Sequence, residues 1–454
     1  MMILKNFWAH RRQNGFVFVE IALITILSFY LIDHITVWIY SRYFCHADGE
    51  FEKEHLVVGQ TARITPITPE ALQAEAEAYS DTARLKPFER ETLRIMASLY
   101  AFRDEVRAFP EVQSVCLTQN FVGDGQSRWN CHAVAPEADT TKTCSSYTEL
   151  FCLNECYFET MGMTAIEGSP SVEKLSKETP NDGVVITRSL ALQLFGTDDA
   201  IGRRLLEIQY KPGGDGRDVE FTTHHVVYGI VEDVKPAPSE RYNYIAFFPV
   251  TSFMGNTPQM LIRLKPEADA GEFIAKYKDT ATNGTYAFAG LNTYNDILSK
   301  VVSWSDEYII LTLLSSVGLL FALNVVIGTL GTFWLQIRKR TEDIGIMRSF
   351  GAKRRNIFWM IWGEGALLTL IACMVGQFLW LQFVTYVGFE EGMSKGNIRA
   401  TSLREFDWVS TFWLHYLIVC VVQYIVLLAI VTLGMIVPTF RAMYKRPVEA
   451  LHHE

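Results

Sequence analysis

The chain has 454 residues, 49% of them apolar, with a formal net charge of −9 and a mean hydropathy of +0.12. That is too apolar for an ordinary soluble protein and too polar for a chain lying wholly in a membrane; it fits a few spanning helices joined to one large water-facing domain. The acidic balance excludes a nucleic-acid binder, which needs a basic surface, and the basic residues that do cluster lie beside apolar runs, where they report topology.

Residues 1–15 place Ile3, Leu4, Phe7 and Trp8 among Lys5, His10, Arg11 and Arg12. They read either as a cytoplasmic amphipathic segment on the inner membrane surface or as a basic flank that fixes orientation. Residues 16–40 form the first apolar run. It is longer than the h-region of a signal peptide and ends in Trp38, Ile39 and Tyr40 rather than small residues, so a retained transmembrane helix is expected. Glu20 near its inner end, and Asp33 and His34 near its outer end, are expected to reach headgroups or water.

Residues 41–303 form the water-facing part. His46, Asp48, Glu50 and His55 open it, with a spacing that fits no standard zinc pattern. The stretch 69–109 is helical in pattern, with Leu93, Met96, Leu99 and Phe102 on one stripe. VQSVCLTQN then starts a strand. Residues 123–156 are rich in Gly, Ser, Thr, Asn and Cys and read as a cross-linked loop region. Six cysteines fall in this part: Cys45, Cys116, Cys131, Cys144, Cys152 and Cys156. In an oxidising compartment disulfides are expected among them, with the pairing open. A metal site using Cys131, His132, Cys152 and Cys156 is the alternative. GVVITRSLALQLFG reads as a strand entering a helix; HHVVYGIVEDV, YIAFFPV and QMLIRLK read as strands, and residues 271–280 as a helix. Strands interleaved with helices give an α+β domain whose two ends both feed membrane helices. It offers no nucleophile elbow and no HExxH, and the 454 residues carry no GxxxxGK[ST], so no catalytic residue, metal or cofactor is expected.

Three more spans follow: 304–335 with a stalk, 358–387 and 409–437, separated by a loop at 336–357 and another at 388–408. The last residues, 438–454, form a tail. The 336–357 loop holds Arg338, Lys339, Arg340, Arg348, Lys353, Arg354 and Arg355, so it belongs on the cytoplasmic side together with both termini. The domain at 41–303 is then extracytoplasmic. Within the loop, Ile344, Met347 and Phe350 share one helical face, Glu342 and Asp343 suit the positive N-terminal end, and Gly351 can end the helix. That apolar face needs a partner. Gly328 and Gly331 permit close packing of the second span. Glu364, in the third span, is expected to pair with an Arg of the loop or stay at the interface.

Arg340, Glu342-Asp343-Ile344-Gly345-Ile346, Arg348 and Gly351-Ala352 resemble the cytoplasmic signature of the MacB/FtsX family of ABC-transporter permeases, with Asp343 where the family usually has Glu. YFETMGM, GVVITRSLALQLFG, DAIGRRL, VVYGIVEDVK and RPVEAL agree in order. The resemblance implies four transmembrane helices plus an extracytoplasmic two-lobed α+β domain inserted between helices 1 and 2, one lobe at about 157–225. It implies a bacterial inner-membrane permease without a fused ATPase, whose coupling helix (Arg340, Glu342, Asp343, Ile344, Gly345, Met347, Arg348, Phe350, Gly351, Ala352 and Lys353) docks on a separate cytosolic ABC ATPase. It further implies a homodimer or a heterodimer with a second permease, contact with membrane lipid, and an extracytoplasmic partner in the periplasm or outer membrane. Export, lipoprotein or peptide handling and mechanotransmission all stay open. The alternative reading is a membrane-anchored extracytoplasmic sensor or scaffold.

Overall fold

The computed structural model describes residues 11–45, 47, 49, 51–65, 70, 87–124, 131–153, 155–212, 218–235, 244–250, 258–304, 306–387, 408–409 and 411–444. The first ten residues, His46, Asp48, Glu50, most of the 69–86 helical pattern, most of the 388–408 loop and the tail beyond 444 lie outside the described residues. In chain order the elements are α1 (Arg11–Tyr43), β1 (Leu56–Arg63), α2 (Pro87–Arg107), β2 (Val112–Thr118), β3 (Cys131–Pro136), β4 (Cys144–Cys152), α3 (Tyr157–Met161), α4 (Val172–Glu178), β5 (Gly183–Thr187), α5 (Arg188–Phe195), β6 (Arg204–Pro212), β7 (Asp218–Val231), β8 (Ile245–Val250), β9 (Gln259–Leu264), α6 (Ala270–Tyr277), β10 (Tyr286–Thr293), α7 (Tyr294–Trp304), α8 (Asp306–Lys339), α9 (Thr341–Ser349), α10 (Arg354–Val387) and α11 (Phe412–Tyr444). They divide into two units. One holds α1 and α8 to α11; the other spans residues 41–305 with 395–405.

The inserted unit contains a four-stranded sheet in the order β10-β1-β9-β2 and a closed barrel in the order β3-β4-β8-β5-β7-β6. The sheet is antiparallel; the barrel mixes parallel pairs, β4 with β8 and β5 with β7, among antiparallel ones. All five residues of β5 are buried, as its run of GVVIT suits, because closure leaves neither face to water. The barrel strands extend from Cys131 to Val250, on both sides of the 157–225 stretch. The 123–156 segment corrects its reading as loop: β3 and β4 pair as a hairpin, and Phe151 packs into an aromatic cluster with Tyr157, Phe158 and Phe247 at centroid separations of 5.0–6.2 Å. Each such ring, taken fully out of water, contributes about 1.5–3 kcal/mol.

One polar device joins the sheet to α3. Arg263 on β9 is 8% exposed, and its guanidinium donates to the carbonyls of Thr160 (2.7 Å), Met161 (2.8 Å) and Glu52 (3.3 Å). These donors satisfy carbonyls that the end of a helix leaves unpaired. Gly162 ends α3 at φ +73°, and a Cβ there would lie 2.6 Å from the Arg263 Nη2, so the position requires glycine on two counts. Replacing Arg263 by Met would leave buried carbonyls without donors. The expected cost is about 2–4 kcal/mol, read as a lower denaturant midpoint for the full-length protein in detergent.

In the membrane unit, four described helices are long and apolar enough to cross a bilayer: Val17–Tyr43, Leu311–Lys339, Arg354–Tyr386 and Phe412–Tyr444. Helix α11 packs on both α8 and α10. Gly434 allows the first contact, since a Cβ there would sit 1.9 Å from Thr329 Oγ1. Gly328 lies against the Glu20 carboxylate, whereas Gly331 faces open space.

Candidate functional site

The 336–357 segment leaves α8, forms α9 and enters α10. Helix α9 ends as its sequence predicts. Gly351 adopts φ +89°, its N–H donates to Arg348 O (3.0 Å) and the Ala352 N–H donates to Met347 O (3.0 Å), a glycine-dependent C-terminal cap. Glu342 and Asp343 occupy the first turn, where the positive end of the helix dipole favours them.

Arg340, at the N-terminal boundary of α9, and Glu364, on α10, form a buried ion pair. Arg340 Nη1 donates to Glu364 Oε2 at 2.6 Å, with side chains 12% and 5% exposed. Arg340 Nε and Nη2 and Glu364 Oε1 are buried with no hydrogen-bond partner among the described residues. Of the two expectations for Glu364, pairing with the loop is the one the structure adopts. Arg348 also turns inward, its Nη1 donating to Met443 O (3.2 Å) near the end of α11. Arg354 lies 4.5 Å from the centre of the Tyr444 ring and Arg441 lies 4.6 Å from that of Trp334. Three loop arginines thus tie α9 and its flanks to α10 and α11.

The apolar face needs a correction. Ile344 and Gly345 are buried. Ile344 belongs to the core of the membrane unit, with Met347 packed against it. Phe350 is 88% exposed and Ile346 45%. The expected stripe of Ile344, Met347 and Phe350 is therefore divided. Two of its members anchor the helix to its own bundle, and the outward apolar surface is Ile346 with Phe350. Glu342, Asp343 and Lys353 are exposed beside it and Ala352 is half-buried. The three-residue spacing was visible in the sequence; which flank of that stripe the bundle covers depends on α10 and α11.

Of the ionisable groups in the first span, Asp33 differs from expectation. Asp33 does not reach water; it pairs with His415 on α11 at 2.6 Å. His34 packs on the Tyr30 ring, with centroids 4.9 Å apart. Glu20 presents its carboxylate to Gly328, with Oε2 buried and lacking a hydrogen-bond partner among the described residues. His415 was missed in the sequence, although a histidine three residues into an apolar run, opposite an aspartate in another, is a readable signal.

In the inserted unit Cys116, Cys152 and Cys156 carry free thiols, which corrects the expected disulfides at these three positions. Burial pushes the Cys116 and Cys152 thiols well up and the Cys144 thiol to about 12, so little thiolate is available to react at neutral pH. Cys156 Sγ donates to Val115 O (3.0 Å). Cys45 is buried, and the Cys131 side chain lies outside the described residues. His132 is held by Glu207, which also accepts from or donates to His225 at 3.1 Å. Among the described residues no group of three metal-ligating side chains is placed to hold an ion.

Residues 315–447 match the family of FtsX-like permease C-terminal domains. Over 236 residues, half of the chain, the sequence is 25% identical to the macrolide export ATP-binding/permease protein MacB of Neisseria gonorrhoeae. Over 235 residues it is 24% identical to the MacB of Neisseria meningitidis serogroup A. The matched region covers 34% of each of these relatives, so the chain spans about a third of their length. Solved structures with a likeness include a domain of a permease protein from Porphyromonas gingivalis (TM-score 0.27, 16% identity, covering 54% of this chain and 94% of that one). Another is the periplasmic region of MacB from Actinobacillus actinomycetemcomitans (TM-score 0.27, 8% identity, 56% and 95%). Four described helices long and apolar enough to cross a bilayer, with an α/β domain between the first and second and an FtsX-like segment over the last three, fit a membrane permease. The chain thus carries an FtsX-like permease C-terminal segment and is similar to MacB over half of its length.

The buried pair gives a test of the site's construction. Removing one partner strands a charge in the bundle, whereas removing both does not. Glu364→Leu alone should lower stability by about 3 kcal/mol. The double variant Arg340→Met/Glu364→Leu should recover most of that loss, as measured by thermal unfolding in detergent.

Proposed function

We propose that this chain transmits ATP-driven movement from a cytosolic ABC ATPase, not contained in its 454 residues, to its own extracytoplasmic domain. The observation that carries the reading is the exposed surface of α9: Phe350 at 88% exposure beside Ile346, on a helix whose other face is anchored by Ile344 and the Arg340–Glu364 pair. An apolar surface displayed on a braced helix in a basic loop suits insertion into a groove of a partner protein. Glu342, Asp343 and Lys353 supply charges at its rim. Because α9 is joined to α8, α10 and α11 by buried contacts, displacement of α9 would move the ends of those helices rather than bend a loose loop.

In this reading both termini and the α9 loop face the cytoplasm, as the positive-inside pattern of Arg338, Lys339, Arg340, Lys353, Arg354 and Arg355 requires. Helix α8 follows α7 with a single residue between them, which gives the movement a short covalent route into the inserted domain. Leu313, Leu320, Leu323 and Ile327 of α8 are each more than half exposed. In a bilayer that face meets lipid or a second permease subunit, which fits a dimer. The cargo or extracytoplasmic partner is one of the classes the family resemblance leaves open: a small exported molecule, a lipoprotein or peptide, or a protein that is switched mechanically.

The test is co-purification with the ABC ATPase encoded nearest to this chain. Phe350→Asp and Ile346→Asp should abolish co-purification and stimulated ATPase activity while leaving the permease's thermal midpoint unchanged. Ile344→Asp should instead lower that midpoint, because its side chain is in the core. Retained binding in Phe350→Asp/Ile346→Asp would refute docking through this surface.

A further inference from the structure

Helix α8 carries a polar side chain where a face turned to lipid has no use for one. Asn324 lies thirteen residues from Leu311 and fifteen from Lys339, the ends of that span, which is near mid-bilayer. It is exposed, and its side chain makes no hydrogen bond among the described residues. The hydroxyls of the same helix are satisfied by their own backbone: Ser316 Oγ donates to Thr312 O (2.8 Å) and Thr329 Oγ1 to Val325 O (2.6 Å). A side-chain amide has two donor hydrogens and an acceptor oxygen, and leaving them unbonded in hydrocarbon is costly.

The residues around Asn324 are spaced as a seam. Leu313, Val317, Leu320, Asn324, Ile327 and Gly331 follow one another in alternating steps of four and three, the repeat with which parallel helices wind around each other. All six face outward; Leu320 and Ile327 are 67% and 70% exposed, and a Cβ on Gly331 would meet nothing within 4 Å. The helix meets its own bundle through other flanks. Gly318 lies against Leu31, Gly328 against Glu20 and Thr329 against Gly434, while Val325 and Phe333 belong to the core. The seam stops at Gly331, because Trp334 at the next position lies against Arg441.

We propose that this seam pairs α8 with α8 of a second copy of the chain, and that Asn324 bonds to Asn324 of the partner subunit at the two-fold axis. The chemistry of the seam selects that occupant. An amide is donor and acceptor at once, so two of them at one level donate to and accept from each other, and each supplies what the other lacks. Copies inserted in the same orientation run parallel, which brings equal residues to equal depth. Val317 and Asn324 then share one kind of seam position and Leu313, Leu320 and Ile327 the other. A β-branched residue alternating with leucine favours two strands, and a single asparagine fixes the register. A slip of one repeat would set Asn324 against Val317 or Gly331 and forfeit the bond. Gly331 lets the two backbones approach at the α9 end. The inference extends the dimer reading above and does not rest on docking of an ATPase.

The test uses the full-length protein reconstituted alone in phosphatidylcholine–phosphatidylglycerol vesicles. Leu320→Cys, Asn324→Cys and Ile327→Cys should each give a disulfide-linked dimer under copper-phenanthroline oxidation, above the background that the wild type sets with its own cysteines. Leu319→Cys replaces a side chain as exposed as Leu320, at 63%, but away from the seam, and should stay at that background. Asn324→Leu should weaken self-association, read as energy transfer between labelled copies, by about tenfold, with the thermal midpoint unchanged. Asn324→Gln, which keeps the amide, should retain most of it. Phe350→Asp/Ile346→Asp should leave the seam cross-links intact, so this inference and the docking of an ATPase fail separately. Cross-links at Leu319→Cys as strong as at the seam, or none at the three seam positions, would overturn the proposal. So would an Asn324→Leu variant that associates as tightly as the wild type. The cysteine variants replace exposed side chains, so they decide the matter even if Asn324→Leu fails to fold.

Discussion

A charge drawn into hydrocarbon must find its counter-charge within the protein, because lipid cannot solvate it. The membrane unit is arranged around that constraint. Glu364 lies two turns into the apolar run of α10 and is nearly inaccessible, and Arg340 pairs with it there. That pairing falls where α8 stops and α9 starts, since Arg340 is the residue between them. With its N-terminal boundary held by the pair and Arg348 bonded to α11, α9 becomes a braced part of the bundle.

The same constraint accounts for the polar residues elsewhere in the spans. Asp33 and His415 are hydrogen-bonded to one another, and Gln423 and Gln377 bond each other and nearby backbone carbonyls. Trp362 Nε1 donates to Thr432 Oγ1 at 3.0 Å. All these bonds join α1, α10 and α11. Helix α8 approaches α11 closely at Gly434 and keeps much of its apolar surface exposed. It is continuous in sequence with both the inserted domain and α9.

In the inserted unit the stabilising logic is different. Two buried charged groups there brace short segments. Arg263 closes the end of α3. Glu155 accepts from the Leu117 N–H (2.9 Å) and from Arg103, which joins α2 to the start of α3. Burial raises the Glu155 carboxyl despite the arginine. The cysteines take ordinary places in this packing: Cys116 lies in one apolar cluster and Cys152 in another. Their number had suggested a covalent framework; Cys116 and Cys152 instead serve as packing residues.

Much of this was legible in the residues alone. Length of apolar run, flanking Arg and Lys, and the glycine after a short helical pattern depend on local chemistry, so the four spans, the loop between them and the Gly351 stop could be read directly. The strands β5, β7, β8 and β9 were visible for the same reason, because β-branched and aromatic runs suit a pleated surface wherever it lies. What the sequence could not decide were choices that depend on a neighbour distant in the chain. Whether Ile344 or Phe350 faces the bundle is settled by where α10 and α11 pass. Whether Asp33 meets water or a histidine is settled by a residue 382 positions away. The 123–156 segment looked like loop because its alternation is weak, and only pairing with strands beyond it made it part of a barrel. Periodicity states that a residue has a face; tertiary packing determines what that face meets.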